Sequence, residues 1–163
     1  MRAGFALLAI LVSAAAQRPA HARADDAEDA RRLFEQAGEA RRSGRLVDAR
    51  DLLRRSLALH PSRATAFNLA LTLHKKGDDQ SAVEEYKKAI AMSPSDASFH
   101  FALALSYERL QRTSDAVAAY EEYLRLAPAA GDAEKIRARI AQLTGSPAAG
   151  APAPSNPGNP QTF

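Results

Sequence analysis

The chain has 163 residues, of which 25% are charged and 46% hydrophobic, so it can bury one core of ordinary size. Its formal net charge is +3, and the excess lies in the first 24 residues, which hold three arginines and no acid. The remainder has 19 basic and 19 acidic residues, a balance that argues against a nucleic-acid-binding surface. The chain has no cysteine, which excludes disulfides and a lipidated thiol.

The first segment has the layout of a secretory signal peptide. Arg2 is followed by a run of small and apolar residues over 3–16, and small-x-small sites end at Ala22 and Ala24. The run is shorter than the ~20 residues of a membrane-spanning helix. An uncleaved anchor or a buried N-terminal helix is the alternative. We therefore predict that residues 1–24 are a signal peptide. The mature protein is then periplasmic or secreted, is not a lipoprotein, and has no stable membrane insertion.

Helical periodicity follows from residue 25 to residue 143. The first helix is predicted over 25–43, with Asp25 as its N-cap and Gly44 ending it in a left-handed conformation. The next helices are predicted at about residues 46–59, 63–76, 79–92, 96–110 and 114–126. Ser95 is the predicted N-cap of the helix over 96–110. A last helix at about 132–143 has one polar side, typical of a solvating cap. Residues 144–163 are rich in Pro, Gly and Ala, and we predict a disordered tail.

One pattern recurs three times along the predicted helices. It has a glycine, an alanine five residues later, and a proline twelve residues after the alanine: Gly44, Ala49 and Pro61, then Gly77, Ala82 and Pro94. The third copy keeps Ala116 and Pro128 but has Gln111 where the glycine is expected. The copies are 33 and 34 residues apart. A fixed period in this range is typical of stacked supersecondary units that bury their apolar faces against each other.

The three copies resemble the tetratricopeptide repeat. The second copy matches that family's pattern best, with Leu69, Ala70, Leu73, Gly77, Ala82, Tyr86, Ala89 and Pro94. The resemblance implies an all-α helix-turn-helix solenoid. Three antiparallel helix pairs would span about residues 30–62, 63–96 and 97–130, with a C-terminal capping helix. The tetratricopeptide domain would then cover residues 25–143.

In this family the first helix of each pair lines a concave groove, which implies a partner-binding surface here. The implied groove residues are Phe34, Arg41, Arg42, Phe67, Asn68, Leu71, His74, Lys75, Phe101, Leu105, Glu108 and Arg109. Phe34, Phe67 and Phe101 hold the same position in the three copies. This predicts an aromatic ladder for a peptide or a helix. The alternative is that these rings are partly packed against neighbouring repeats.

The basic residues among them cluster at the ends of the groove helices. They either form a rim for an acidic partner or stabilise the helix C-termini. Some family members also hold a C-terminal carboxylate with a Lys, Asn and Arg clamp. Asn68 matches the middle Asn of that clamp, but Phe34, Gly38, Ser98 and Ala102 stand at its other positions. The resemblance therefore implies that the clamp is missing.

The sequence shows no constellation that would support catalysis. None of the four histidines is paired at metal-ligand spacing, and no phosphate-binding loop or nucleophile motif is present. We therefore predict a non-enzymatic module without metal or cofactor, which binds a protein or peptide of the bacterial envelope. The alternative is an assembly scaffold that self-associates into homo-oligomers through its convex or end surfaces.

Overall fold

The computed structural model describes residues 20–145, with side chains from Ala24 onward. This part of the chain forms seven α-helices and no strand. The helices are α1 (Ala20–Arg42), α2 (Leu46–Leu59), α3 (Arg63–Lys76), α4 (Asp79–Met92), α5 (Ala97–Arg109), α6 (Thr113–Leu126) and α7 (Ala133–Thr144). The predicted bounds of α2 to α7 are correct to within one residue. Most of the predicted signal peptide and tail lies outside the described residues.

The helices pack as adjacent antiparallel pairs: α1 with α2, α3 with α4, and α5 with α6. The chain divides after Pro94 into two compact units. The first unit holds α1 to α4, with α2 also packed on α3, and the second holds α5 to α7, with α7 packed on α6. The predicted all-α fold of helix pairs followed by a C-terminal helix is confirmed. No helix in the described part has the length and apolar character needed to cross a membrane.

Small residues let the paired helices of the first unit approach closely. Ala49, Ala70 and Ala82 are fully buried at the positions that the repeat predicts, with leucines and Tyr86 between them. The buried Ser56 on α2 donates its hydroxyl to the backbone oxygen of Ala30 on α1, at 2.7 Å. This bond satisfies a polar group that burial would otherwise penalise.

Tyrosines dominate the core of the second unit. Tyr107, Tyr120 and Tyr123 are buried around the fully buried alanines of α5 and α6. The Tyr123 hydroxyl donates to Asp132 Oδ1 at 2.5 Å, directly before α7 begins. This contact holds the start of α7 against α6.

The first helix of every pair ends in the same left-handed turn. Gly44, Gly77 and Gln111 have φ angles of 74°, 85° and 57°. In each turn the next amide bonds back to a carbonyl five residues earlier, at 2.8, 3.0 and 2.9 Å. This pattern satisfies carbonyls at the helix end. The left-handed conformation predicted for Gly44 is confirmed, and Gly77 and the non-glycine Gln111 take the same conformation.

Two predicted helix caps are wrong. Asp25 lies inside α1, which begins at Ala20, so it does not cap the helix. Ser95 is not the cap of α5, because Asp96 holds that position and accepts a hydrogen bond from the Ser98 amide at 3.2 Å. Both serine and aspartate are good caps, and sequence alone does not choose between neighbours.

Candidate partner-binding surface

A furrow follows α1 in the first unit. Its larger part is a cavity of about 420 Å³ lined by Phe34, Glu35, Ala37, Gly38, Glu39, Arg41, Arg42, Leu53 and Asn68. A second cavity of about 190 Å³ is lined by Ala27, Ala30, Arg31, Phe34, Ser56, His60, Ser62, Ala64 and Thr65. Phe34 lines both cavities. The larger cavity brings together four residues of the predicted groove: Phe34, Arg41, Arg42 and Asn68.

Leu53 at the floor of the larger cavity stands where the other two copies have tyrosine. In the second copy, the Tyr86 ring packs against Phe67 with centroids 5.7 Å apart. In the third copy, Tyr120 packs in the same way against Phe101, at 6.0 Å. Because leucine is shorter than tyrosine, the first copy leaves room beside its own phenylalanine.

Gly38 enlarges the same space, since the other two copies have Leu71 and Leu105 at this position. A Cβ atom added at Gly38 would meet only Arg42 Nη1, at 3.6 Å. This is an ordinary contact with the end of a flexible side chain. The position is therefore open to a side chain from outside.

Arg41 and Asn68 connect α1 to α3 across the furrow. Arg41 Nη1 donates to Asn68 Oδ1 at 2.7 Å, and Asn68 Nδ2 donates to the Ala64 carbonyl at 2.8 Å. Both the oxygen and the nitrogen of the Asn68 amide therefore form hydrogen bonds. The pair positions the two helices that line the furrow.

Arg42 is exposed at one end of the larger cavity, where α1 stops. Among residues 24–145 no carboxylate forms an ion pair with its guanidinium. Glu35 and Glu39 line the same cavity and are also exposed. The rim of the cavity therefore carries carboxylates along α1 and guanidinium groups at the C-terminal end of α1.

The other two phenylalanines of the predicted ladder have packing partners in their own repeats. Phe67 contacts Tyr86, and Phe101 contacts both Tyr120 and Tyr123, the latter at 5.4 Å. Both phenylalanines are half-buried. Phe67 and Phe101 are thus partly packed against tyrosines and only partly available to a partner. Leu71 is half-buried, and Leu105 is exposed.

Two further predicted groove residues are engaged in polar contacts that the sequence did not reveal. His74 Nδ1 lies 2.5 Å from Oδ1 of the buried Asp79. Glu108 accepts hydrogen bonds from the Tyr120 hydroxyl at 2.6 Å and from Arg139 Nε at 2.9 Å. The remaining two, Lys75 and Arg109, are exposed.

The contacts of Glu108 shift two pKa values. The hydrogen bond from Arg139, and to a lesser extent that from Tyr120, lowers the pKa of Glu108. Burial raises the pKa of Tyr120, and its bond to the carboxylate adds to that effect. The carboxylate is thus committed to binding α7 and α6. Within the described part of the chain, His, Asp and Glu side chains form no cluster of three that could hold a metal ion.

Models of repeat families match the second and third copies. A TPR repeat model covers residues 70–111, and a tetratricopeptide repeat model covers residues 97–129. The chain therefore carries tetratricopeptide repeats (TPRs) over residues 70–129. The resemblance noted in the sequence is thereby confirmed, as is the TPR-type helical solenoid as its fold class. No curated protein matches the chain.

Solved structures share the TPR fold. The first TPR domain of Spaghetti (RPAP3), bound to the HSP90 peptide SRMEEVD, has a TM-score of 0.68 at 21% identity, covering 74% of this chain and 96% of that chain. The Yersinia enterocolitica type III secretion translocator chaperone SycD has a TM-score of 0.64 at 14% identity, covering 70% and 82%. The Arabidopsis OM64 TPR domain has a TM-score of 0.67 at 18% identity, covering 72% and 98%. At these identities the likeness concerns the fold.

Proposed function

We propose that this TPR protein is a non-enzymatic binding module that takes a peptide segment of a partner protein into the furrow of its first unit. The observation that carries the proposal is the cavity of about 420 Å³. It combines an apolar floor with polar and charged side chains at its rim. Ligand sites are typically concave and apolar, with a few polar groups that fix orientation.

The dimensions of the furrow suit an extended peptide. Its lining on α1 runs from Ala27 to Arg42, about 22 Å at the helical rise of 1.5 Å per residue. A fully extended segment of about seven residues has this length. The furrow is therefore long enough for a short linear motif.

Two of the similar structures support peptide binding as the function. One TPR domain is bound to an HSP90 peptide, and SycD has also been solved in complex with a peptide of the translocator YopD. The present chain lacks all but one of the carboxylate-clamp residues, because only Asn68 matches. We therefore expect an internal segment of the partner to bind, rather than a C-terminal carboxylate.

We also propose that the protein is exported and meets its partner in the bacterial envelope. The support is the signal-like segment over residues 1–24. Cleavage after Ala22 or Ala24 would bring the acidic residues that follow into the first turn of α1, where they stabilise the helix N-terminus. Mass spectrometry of the protein from the periplasm should find a chain that begins at residue 23 or 25. An intact Met1 would contradict export by this route.

Site-specific photo-crosslinking tests the proposed surface. Benzoylphenylalanine in place of the exposed Glu35 should crosslink to one segment of a partner protein in intact cells. The matched control is benzoylphenylalanine in place of Val47, which is 51% exposed on α2 and does not line the larger cavity. Equal crosslinking from both positions would contradict the proposal. Crosslinks only to a second copy of the chain would favour the self-associating scaffold.

A further inference from the structure

We infer that the furrow recognises one large apolar side chain of the partner, which enters the hollow formed by Gly38 and Leu53, and a carboxylate beside it, which pairs with Arg42. This inference rests on the proposed function, because it specifies the peptide that the furrow binds.

The apolar part follows from a comparison of the three copies. At the Gly38 position the other copies have leucine, and at the Leu53 position they have tyrosine. The hollow keeps an apolar floor, since Ala37 and Leu53 are 1% and 2% exposed, and Phe34 forms its wall. A leucine, methionine or phenylalanine of a partner would restore the apolar volume that the first copy lacks. Burial of such a side chain removes apolar surface from water, which favours binding.

The backbone at Gly38 does not require glycine. The residue lies inside α1 and is not among the residues with positive φ, and an added Cβ meets nothing closer than 3.6 Å. A glycine inside a helix makes the helix less stable than an alanine would. Since neither a turn nor a close backbone contact accounts for this cost, the open space is what the residue contributes.

The charged part follows from the position of Arg42 next to the hollow. Its Nη1 lies 3.6 Å from the place of a Gly38 Cβ, and in the described part of the chain it has no carboxylate partner. Arg41, in contrast, is bonded to the neutral amide of Asn68. A partner carboxylate beside the apolar side chain would form a charge-assisted hydrogen bond with Arg42. Glu35, about one turn before Gly38 on α1, repels an acid at that end of the hollow, which orients the peptide.

Selection from a phage library of random heptapeptides tests this inference on the full chain. We expect enriched peptides to share a Leu, Met or Phe with an adjacent Asp or Glu. Gly38→Leu fills the hollow from within and should weaken these peptides by about tenfold or more, the equivalent of 1.4 kcal/mol. Arg42→Gln should weaken peptides with the acid and leave unchanged those in which Asn or Gln replaces it.

Gly38→Ala is the matched control. Like Gly38→Leu, it raises the helix propensity at this position, but it adds only a methyl group and leaves the hollow largely open. It should retain most of the affinity, and thermal melting should show both Gly38 variants folded.

If Gly38→Leu binds the peptides as well as the wild type while Phe34→Ala does not, the apolar anchor is wrong and the proposed function stands. If no peptide is enriched, or if Phe34→Ala also binds unchanged, the proposed function fails as well. A concentration-dependent dimer that Gly38→Leu abolishes would place a second copy in the furrow and overturn the inference.

Discussion

Gln111 is the one non-glycine residue with a left-handed backbone in the part of the chain that the structure describes. It completes the turn that Gly44 and Gly77 make in the other copies. The Arg112 guanidinium lies 4.6 Å from the Tyr107 ring centre within this turn, a contact that helps to hold it. The sequence predicted that helices end at the two glycines, with Gly44 in a left-handed conformation. It did not predict this conformation at Gln111, because glutamine has no intrinsic preference for positive φ.

Replacement of Gln111 by glycine should therefore stabilise the second unit. Relief of left-handed strain outweighs the added freedom of the unfolded chain, so we expect a gain of about 0.5–1 kcal/mol. Denaturant unfolding followed by circular dichroism measures the change. The reverse substitution, Gly77→Gln, should lower stability in the first unit. An unchanged or lower stability of Gln111→Gly would show that Gln111 is not strained.

Tyr86 and Tyr120 occupy the same repeat position but have different polar environments. The Tyr86 hydroxyl is buried and has no hydrogen-bond partner in the described structure, whereas Tyr120 donates to Glu108. Burial raises the pKa of both phenols. Both therefore stay protonated at neutral pH.

The pair predicts opposite effects of one substitution. Tyr86→Phe removes an unsatisfied buried hydroxyl and should be neutral or stabilising by up to about 1 kcal/mol. Tyr120→Phe removes a hydrogen bond to a carboxylate and should destabilise by about 1 kcal/mol or more. Parallel urea titrations of the two variants measure this difference. Equal destabilisation by both would mean that the Tyr86 hydroxyl has a partner.

At the scale of elements, the helix bounds were largely predictable and the contacts of the last helix were not. Glycine and proline at fixed intervals determine where helices end, and alanines at the repeat positions indicate the buried faces. The contact between Glu108 and Arg139 joins residues 31 apart. Neither residue type nor spacing specifies that partner, and the last helix was expected only as a polar cap.

The attachment of α7 should depend on pH. The pKa of Glu108 is lower in the folded state, so the carboxylate contributes stability above its unfolded pKa of about 4.3. That contribution is lost as pH falls through the lower folded value. We therefore expect amide chemical shifts of Ala133–Thr144 to change toward unfolded values in acid, below about pH 4.

Glu108→Gln should produce part of this change at neutral pH, because it removes the charge that Arg139 contacts. Glu134→Gln on α7 is the matched control, since Glu134 is exposed and pairs with Arg137 one turn away. It should leave the shifts of the helix nearly unchanged. Equal responses from the two variants would mean that Glu108 does not hold α7 in place.

At the scale of the whole molecule, the repeats and the fold follow from the sequence period, but the location of the proposed site depends on where one copy departs from the repeat. The sequence predicted a ladder of three equivalent phenylalanines. In the structure, Phe67 and Phe101 pack against tyrosines, whereas Phe34 lines a cavity next to Leu53. The departures at Gly38 and Leu53 were visible in the sequence. Only the packing of the tyrosines in the other copies showed that these departures create space.

The most direct test of this account is the affinity of a selected apolar-acidic heptapeptide for the wild type, Gly38→Ala and Gly38→Leu, measured by isothermal titration calorimetry. We predict that Gly38→Leu binds about tenfold or more weakly, as expected from the loss of one buried side chain. Its melting temperature should be equal to or above that of the wild type, and Gly38→Ala should bind almost as the wild type does. Equal affinity of a folded Gly38→Leu variant would contradict the account.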